Sequence, residues 1–240
     1  MRPDHVVVTV PARDEEELLG RCLDSVLTAV TTLHPAHPTV RVSVVVALDR
    51  CVDGSASVAT RAGVEVVHVD VGAVGAARRA AVAAGLARAR ASGSPTHRTW
   101  LAGTDADCVV PTHWLLRQLE LAAAGADLVV GTVVPDEVVD PRVLRAWWAR
   151  HELHEGHRHV HGANLGVRAD AYLEVGGFPP LPVHEDVALV EAVRATGRRW
   201  VGTDGTRVRT SARTESRVDG GFASYLARLV PAEGQGVAPS

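Results

Sequence analysis

Through the first 135 residues, runs of β-branched residues alternate with runs rich in alanine and leucine. "HVVVTV", "VRVSVVVALD", "VEVVHVD", "RTWLAGTD" and "ADLVVGTVV" are strand candidates, and their near-unbroken hydrophobicity is what a sheet covered by helices on both faces requires. Between them, "DEEELLGRCLDSVLTAV" opens with acids that suit a helix N-terminus, while "VGAARRAAVAAGLARARASG" and "PTHWLLRQLELAAAG" both stop at glycine. The alternation predicts an α/β fold with a Rossmann-like, mostly parallel sheet flanked by helices, in a single domain.

After residue 135 the rhythm changes to a helix "PRVLRAWWARHELHE", a histidine-rich stretch, a strand-like "GANLGVRAD", a glycine turn "EVGGFPPLP" and a helix "HEDVALVEAVRATG". The expected organisation is one domain over 1–228, with a nucleotide-binding half to residue 135 and an acceptor-binding half over 136–228. The last residues, 229–240, lack periodicity and are expected to be disordered.

Composition narrows the function classes. A formal charge of −3 carries no basic footprint for nucleic acid. All 25 basic residues are arginine, so Schiff-base chemistry and a phosphate-binding lysine are excluded. Three distant cysteines read as small buried residues of a reducing compartment, which makes the cytoplasm the expected location. No apolar run approaches the roughly 18 to 20 residues of a membrane span, and the first ten residues lack a signal peptide's apolar core, so any membrane contact is expected to be peripheral.

Ligands of open α/β sheets bind beyond the carboxyl ends of the strands, so the residues after each run are the candidate site. These are "PARDEEE", Asp49 in "ALDRCVDGS", "DVGAVGAARRA" and "TDAD". Asp105 and Asp107 repel each other unless a cation or hydrogen bonds offset the charge, and a hard divalent ion shared with substrate phosphates is the usual answer. Asp49 ends a strand, where its carboxylate can accept from the imide N–H of a uracil-like base. Pro11 and Ala12 would shape that pocket with backbone atoms, Asp53 reads as a helix N-cap, and Asp14 to Glu17 read as acids serving the helix dipole. Arg78 stands in the first turn of a helix, which is unfavourable for a cation unless an anion lies close, and a diphosphate would supply one. The glycines Gly72 and Gly75 do not form a dinucleotide-binding fingerprint.

Taken in order, "VVVTVPARDEEELLGRCLDSV", "VVVALDRCVDGSASVA", "TDAD", "GANLGVRADAYLEVGGF" and "HEDVALVEAVRATG" resemble the family-2 glycosyltransferases of GT-A fold over nearly the whole chain. The resemblance implies a nucleotide-sugar donor, a hydroxyl acceptor, a divalent cofactor (Mn2+ or Mg2+) and inversion at the anomeric carbon. It assigns Asp49 to the base, Asp107 to the metal and Asp186 to the catalytic base; Asp105 is assigned to the ribose or to a water-mediated contact, and Asn164 and Glu185 are further candidates for nucleotide-sugar binding. Asp186 also stands where any helix favours an acid, so dipole and catalytic readings both remain open. "RVRTSARTESRVDGGFASYL" is read as a loop that folds over the diphosphate, with Arg213 and Arg217 as its contacts.

"GRRWVG" is read as a strand, because Thr196 stands where a processive synthase would have glutamine. The five histidines at 151, 154, 157, 159 and 161 have no zinc-ligand spacing and read as structural or solvated, with His161 the best candidate for acceptor contact. Alternative readings are a sugar-phosphate nucleotidyltransferase, whose glycine-rich, lysine-containing start is absent, and a catalytically silent nucleotide-sugar binding module.

Overall fold

The computed structural model describes residues 2–136, 140–151 and 153–213. Arg217 and the 229–240 tail lie outside them. Eight strands form one sheet in the order β3-β2-β1-β4-β7-β6-β8-β5, where β1 is His5–Ala12, β2 Arg41–Asp49, β3 Glu65–Val69, β4 Thr99–Gly103, β5 Cys108–Val109, β6 Leu128–Asp136, β7 Leu165–Arg168 and β8 Trp200–Ser211. The strands from β3 to β4 run parallel, β7 is antiparallel to both neighbours, β6 and β8 are parallel, and β5 closes the edge antiparallel to β8. The sheet is therefore mostly parallel, as expected.

Helices cover both faces. On one, α1 (Leu19–Leu33), α2 (Ser55–Arg61) and α4 (Trp114–Ala123) bury Leu23, Val26, Trp114 and Leu119 against Val6, Val8 and Trp100. On the other, α3 (Val74–Ala91), α6 (Ala169–Glu174) and α7 (Glu185–Ala195) pack Val82, Tyr172, Leu189 and Val193 against Val7, Leu101, Leu128 and Val130. All eight positions of β1 are buried, because one side of its alternation faces each layer. The remaining helix, α5 (Pro141–Trp148), starts at Asp140, whose carboxylate accepts from Arg142 N, and buries Trp147.

Several local expectations are corrected. Helix α1 starts at Leu19 and its first turn holds no acid. The acids before it serve tertiary contacts instead: Asp14 Oδ1 accepts from Val52 N at 2.8 Å, and Glu16 Oε2 from Gly54 N at 2.6 Å. "GANLGVRAD" is strand only over β7, since α6 begins at Ala169. The arginine stretch read as a loop is strand as far as Ser211, because the hydrophobic and small positions of β8 face the core while Arg207 and Arg209 face solvent. Asp53 does bond the start of α2, with Oδ1 accepting from Ser55 N and Oδ2 from Glu16 N.

Candidate active site

Strand β1 turns one way to β2 and β3 and the other way to β4, so the strand order diverges between β1 and β4. Open α/β sheets form a ligand crevice at the carboxyl ends of such a pair. Ala12, Asp49, Val69 and Gly103 end the four parallel strands on this rim, and the reversed β7 begins there, which delivers the segment His161–Asn164 to the same place. Pro11 and Ala12 are buried at the end of β1, in register with Ala47 and Leu48.

The acidic motif comes directly after β4. Asp107 Oδ2 lies 3.1 Å from Arg213 Nη2, and that guanidinium also grips buried Glu15 with Nη1 at 2.9 Å and Nη2 at 2.7 Å. Burial raises the Asp107 carboxyl to about 6, reinforced by Asp105 and Glu15 and opposed by Arg213. Asp105 Oδ1 accepts from Arg78 Nη2 at 2.6 Å.

Arg78 is 3% exposed, and its other nitrogens donate to Glu185 Oε1 (Nε, 2.9 Å) and to the Gly162 carbonyl (Nη1, 3.1 Å). The anion its position demands is supplied within the chain by two carboxylates, Asp105 and Glu185. A Cβ at Gly162 would stand 2.5 Å from Arg78 Nη2, so a side chain there would displace the guanidinium from its partners. Glu185 is 3% exposed and turned to Arg78, with its pKa raised by burial and lowered in part by that guanidinium.

The other strand-end groups divide by exposure. Asp186 is half-buried in the first turn of α7, with Oδ2 accepting from Gly162 N at 2.6 Å and Oδ1 from Val187 N at 2.8 Å. Asp49 Oδ1 accepts from Val71 N and Gly72 N at 3.1 and 2.9 Å, which shapes the loop before α3. Asn164 is 1% exposed, its Nδ2 donates to the carbonyls of Thr132 and Thr206, and its Oδ1 accepts from Trp114 Nε1, so both ends of the amide join β6, β8 and α4.

Sequence reasoning missed Glu15 as a member of this site. Its neighbours in "DEEE" read, on sequence alone, as acids serving a helix dipole, and nothing in the pattern marks one of four as buried. Asp14, Cys51 and Asp53 also bring ligand-type atoms together, but hydrogen bonds to Val52 N, Ser55 N, Glu16 N and the Ala12 carbonyl employ them in tying the loop after β1 to the loop after β2.

A rim of carboxylates at the strand divergence, with an Asp-x-Asp after β4 and an acid pair opening α7, is the arrangement against which comparison with known proteins is informative. The profile of the family described as "Glycosyl transferase family 2" matches residues 7–171. The chain belongs to glycosyl transferase family 2. No curated protein matches it in sequence.

Among solved structures, the S. aureus TarS 1-349 complex with UDP aligns with a TM-score of 0.64 at 13% identity, covering 94% of this chain and 64% of that one. The mannosyltransferase PcManGT from Pyrobaculum calidifontis, in complex with GDP-Man and Mn2+, aligns at 0.59 and 19% identity, covering 94% and 60%. M. tuberculosis glucosyl-3-phosphoglycerate synthase aligns at 0.53 and 17%, covering 95% and 76%. These likenesses establish the GT-A fold for the family-2 chain. The chain spans 42% of the longer TarS structure. No helix among the described residues is long and apolar enough to cross a membrane.

Proposed function

We propose that the chain transfers a single sugar from a nucleotide-diphosphate donor, UDP-linked, to a hydroxyl acceptor with inversion at the anomeric carbon. The observation that carries this reading is the convergence on one rim of Asp49, Asp105, Asp107 and Asp186, with Arg78 bonding both Asp105 and the Gly162 carbonyl whose residue's N–H holds Asp186.

Asp49 selects the base. Its Oδ1 is engaged by two backbone N–H groups, which leaves Oδ2 as one acceptor for one imide N–H. Uracil N3–H matches a single acceptor, whereas guanine offers two adjacent donors and adenine offers a bare acceptor at the equivalent edge.

The donor set fits a divalent cation. Glu15 and Asp107 share the guanidinium of Arg213, and Asp105 and Glu185 share that of Arg78. Burial, with the charges of Asp105 and Glu15 added, raises Asp107 to about 6, and a bound cation would offset that cost. Asp107 would hold Mn2+ or Mg2+, which when bound neutralises charge developing on the departing diphosphate. Arg213 adds a second positive charge beside it.

Asp186 is the group that takes the proton. A sugar hydroxyl is too weak an acid to attack unaided, and a carboxylate accepting its proton as the bond to carbon forms contributes typically ~10² to 10⁴ in rate. Gly162 N and Val187 N fix the orientation of that carboxylate.

Calorimetry with UDP, GDP and inorganic diphosphate, with Mn2+ and with EDTA, tests the reading. UDP should bind more tightly with Mn2+, and Asp49→Ala should weaken UDP more than diphosphate. Equal affinity in Mn2+ and EDTA would remove the cation, and equal loss for both ligands would place Asp49 away from the base.

A further inference from the structure

Next to Asp186 the histidine-rich stretch builds a continuous file of rings. Trp147 and His151 stack at 4.4 Å between centroids and 7° between planes. His159 lies 5.8 Å from His151, 5.7 Å from His157 and 6.5 Å from His161, at angles of 44°, 24° and 25°. His161 immediately precedes Gly162, whose N–H holds Asp186, so the file runs from buried Trp147 to the carboxylate at the reaction centre.

The rings at the far end of the file are used by the fold. His151 Nδ1 bonds the Trp147 carbonyl at 2.8 Å, and buried His157 Nε2 bonds the Thr203 carbonyl at 3.2 Å. His159 and His161 differ: both are half-buried, and neither ring has a hydrogen-bond partner among the described residues. Two imidazole edges therefore stand unused, that of His161 next to the base and that of His159 one ring further along the file.

Three uses of such a file can be separated by geometry. A metal site needs convergent ring nitrogens, and among the described residues the histidines form no cluster of ligand atoms within metal reach. A proton relay needs an N–H aimed at the next ring's lone pair, but stacked rings point their N–H groups in plane, past one another. Recognition of a ligand at the ring edges is the use that stacking permits, because the faces are held and the edges are left for hydrogen bonds.

The charge state of those edges names the ligand class. Burial lowers His161 to about 4, with Asp186 opposing, and lowers His159, where the neighbouring histidines act in the same direction. Near neutral pH each ring is one donor and one acceptor. A hydroxyl matches that pair because it also donates and accepts, whereas a phosphate or carboxylate offers only acceptors to a lone pair that repels it. The cation of this loop, Arg158, is exposed to solvent.

We propose that His159 and His161 form the acceptor subsite and bind the hydroxyl groups of a neutral polyhydroxylated acceptor, a sugar ring or glycoside, beside the hydroxyl that Asp186 deprotonates. The assignment rests on the glycosyl-transfer reading and adds the acceptor's chemical class to it.

Nucleoside diphosphate release from a panel of UDP- and GDP-sugars with Mn2+ provides the test. Methyl α-glucoside, methyl α-galactoside and methyl α-mannoside serve as neutral probes, against glucose 6-phosphate and mannose 6-phosphate as anionic ones. A neutral glycoside should accelerate release more than either sugar phosphate. His159→Phe and His161→Phe keep a flat ring but remove the nitrogens, so each should raise the glycoside KM tenfold or more, while donor affinity, which reports on folding, shifts less than twofold. His161→Gln, which restores a donor and an acceptor, should recover part of the loss. Preference for a sugar phosphate that is abolished by Arg158→Ala, or a glycoside KM unmoved by both Phe variants, overturns the acceptor assignment alone. No release from any donor in any mixture overturns the transferase reading and this subsite with it.

Discussion

Replacing Asp186 by asparagine separates its catalytic reading from its structural one, and the structure sets the size of both effects. Each carboxylate oxygen accepts one backbone N–H, from Gly162 at 2.6 Å and from Val187 at 2.8 Å. Asparagine offers a single oxygen, so its amide NH2 must face one of those two donors. The side chain is half-buried, so water reaches the displaced donor in part, and the loss is about 1 to 2 kcal/mol of folding stability. The catalytic loss is larger. Removing a general base costs ~10² to 10⁴ in rate, equivalent to about 2.7 to 5.4 kcal/mol of barrier. Urea unfolding, donor calorimetry and the transfer rate should therefore report a small stability loss, donor affinity close to that of the parent chain, and turnover reduced at least a hundredfold. A variant destabilised by the expected amount yet within threefold of full turnover would refute the base, because its only measurable role would then be to tether the loop before β7 to α7.

The contacts of the site set two further outcomes. Asp107→Asn should abolish the Mn2+ enhancement of UDP binding in calorimetry, and in the parent chain Mn2+ affinity should fall as pH drops through about 6, where the carboxyl gains its proton. The same raised carboxyl means the folded chain holds a proton that the unfolded chain has lost between pH 4 and 6. Asp107 should therefore contribute a decline in metal-free stability with rising pH over that window, of at most about 3 kcal/mol, and Asp107→Asn should remove that contribution; a pH dependence of the melting temperature unchanged in Asp107→Asn would contradict the raised value. Asn164→Leu should cost at least about 3 kcal/mol in urea unfolding, because it strands Trp114 Nε1 and the carbonyls of Thr132 and Thr206 in the interior. A loss under 1 kcal/mol accompanied by weaker donor binding would place Asn164 in contact with the ligand instead.

The order of elements was legible in the chain because hydrophobic periodicity reports burial on a local scale. β1, β2, β4 and β6 are apolar on both faces, and α1 and α4 carry one apolar stripe each. The rim was legible for the same reason: the residues after a buried parallel strand must lie at its carboxyl end, so Asp49, Asp105 and Asp107 group together on pattern alone. Arg78 shows where that reasoning stops. A cation at a helix N-terminus demands an anion, and this much is local electrostatics. Which anion answers depends on chain segments 27 and 107 residues away, and only the packing of α3 against α7 and the loop after β4 makes them Asp105 and Glu185. Asn164 and Glu15 are the same case. A polar residue beside a strand reads alike whether its side chain turns outward to a ligand or inward to orphaned carbonyls. The tertiary structure decides, because a buried amide or carboxylate must satisfy whatever partners the neighbouring strands present, and those partners come from β6, β8 and Arg213 just beyond β8 rather than from adjacent positions in the chain.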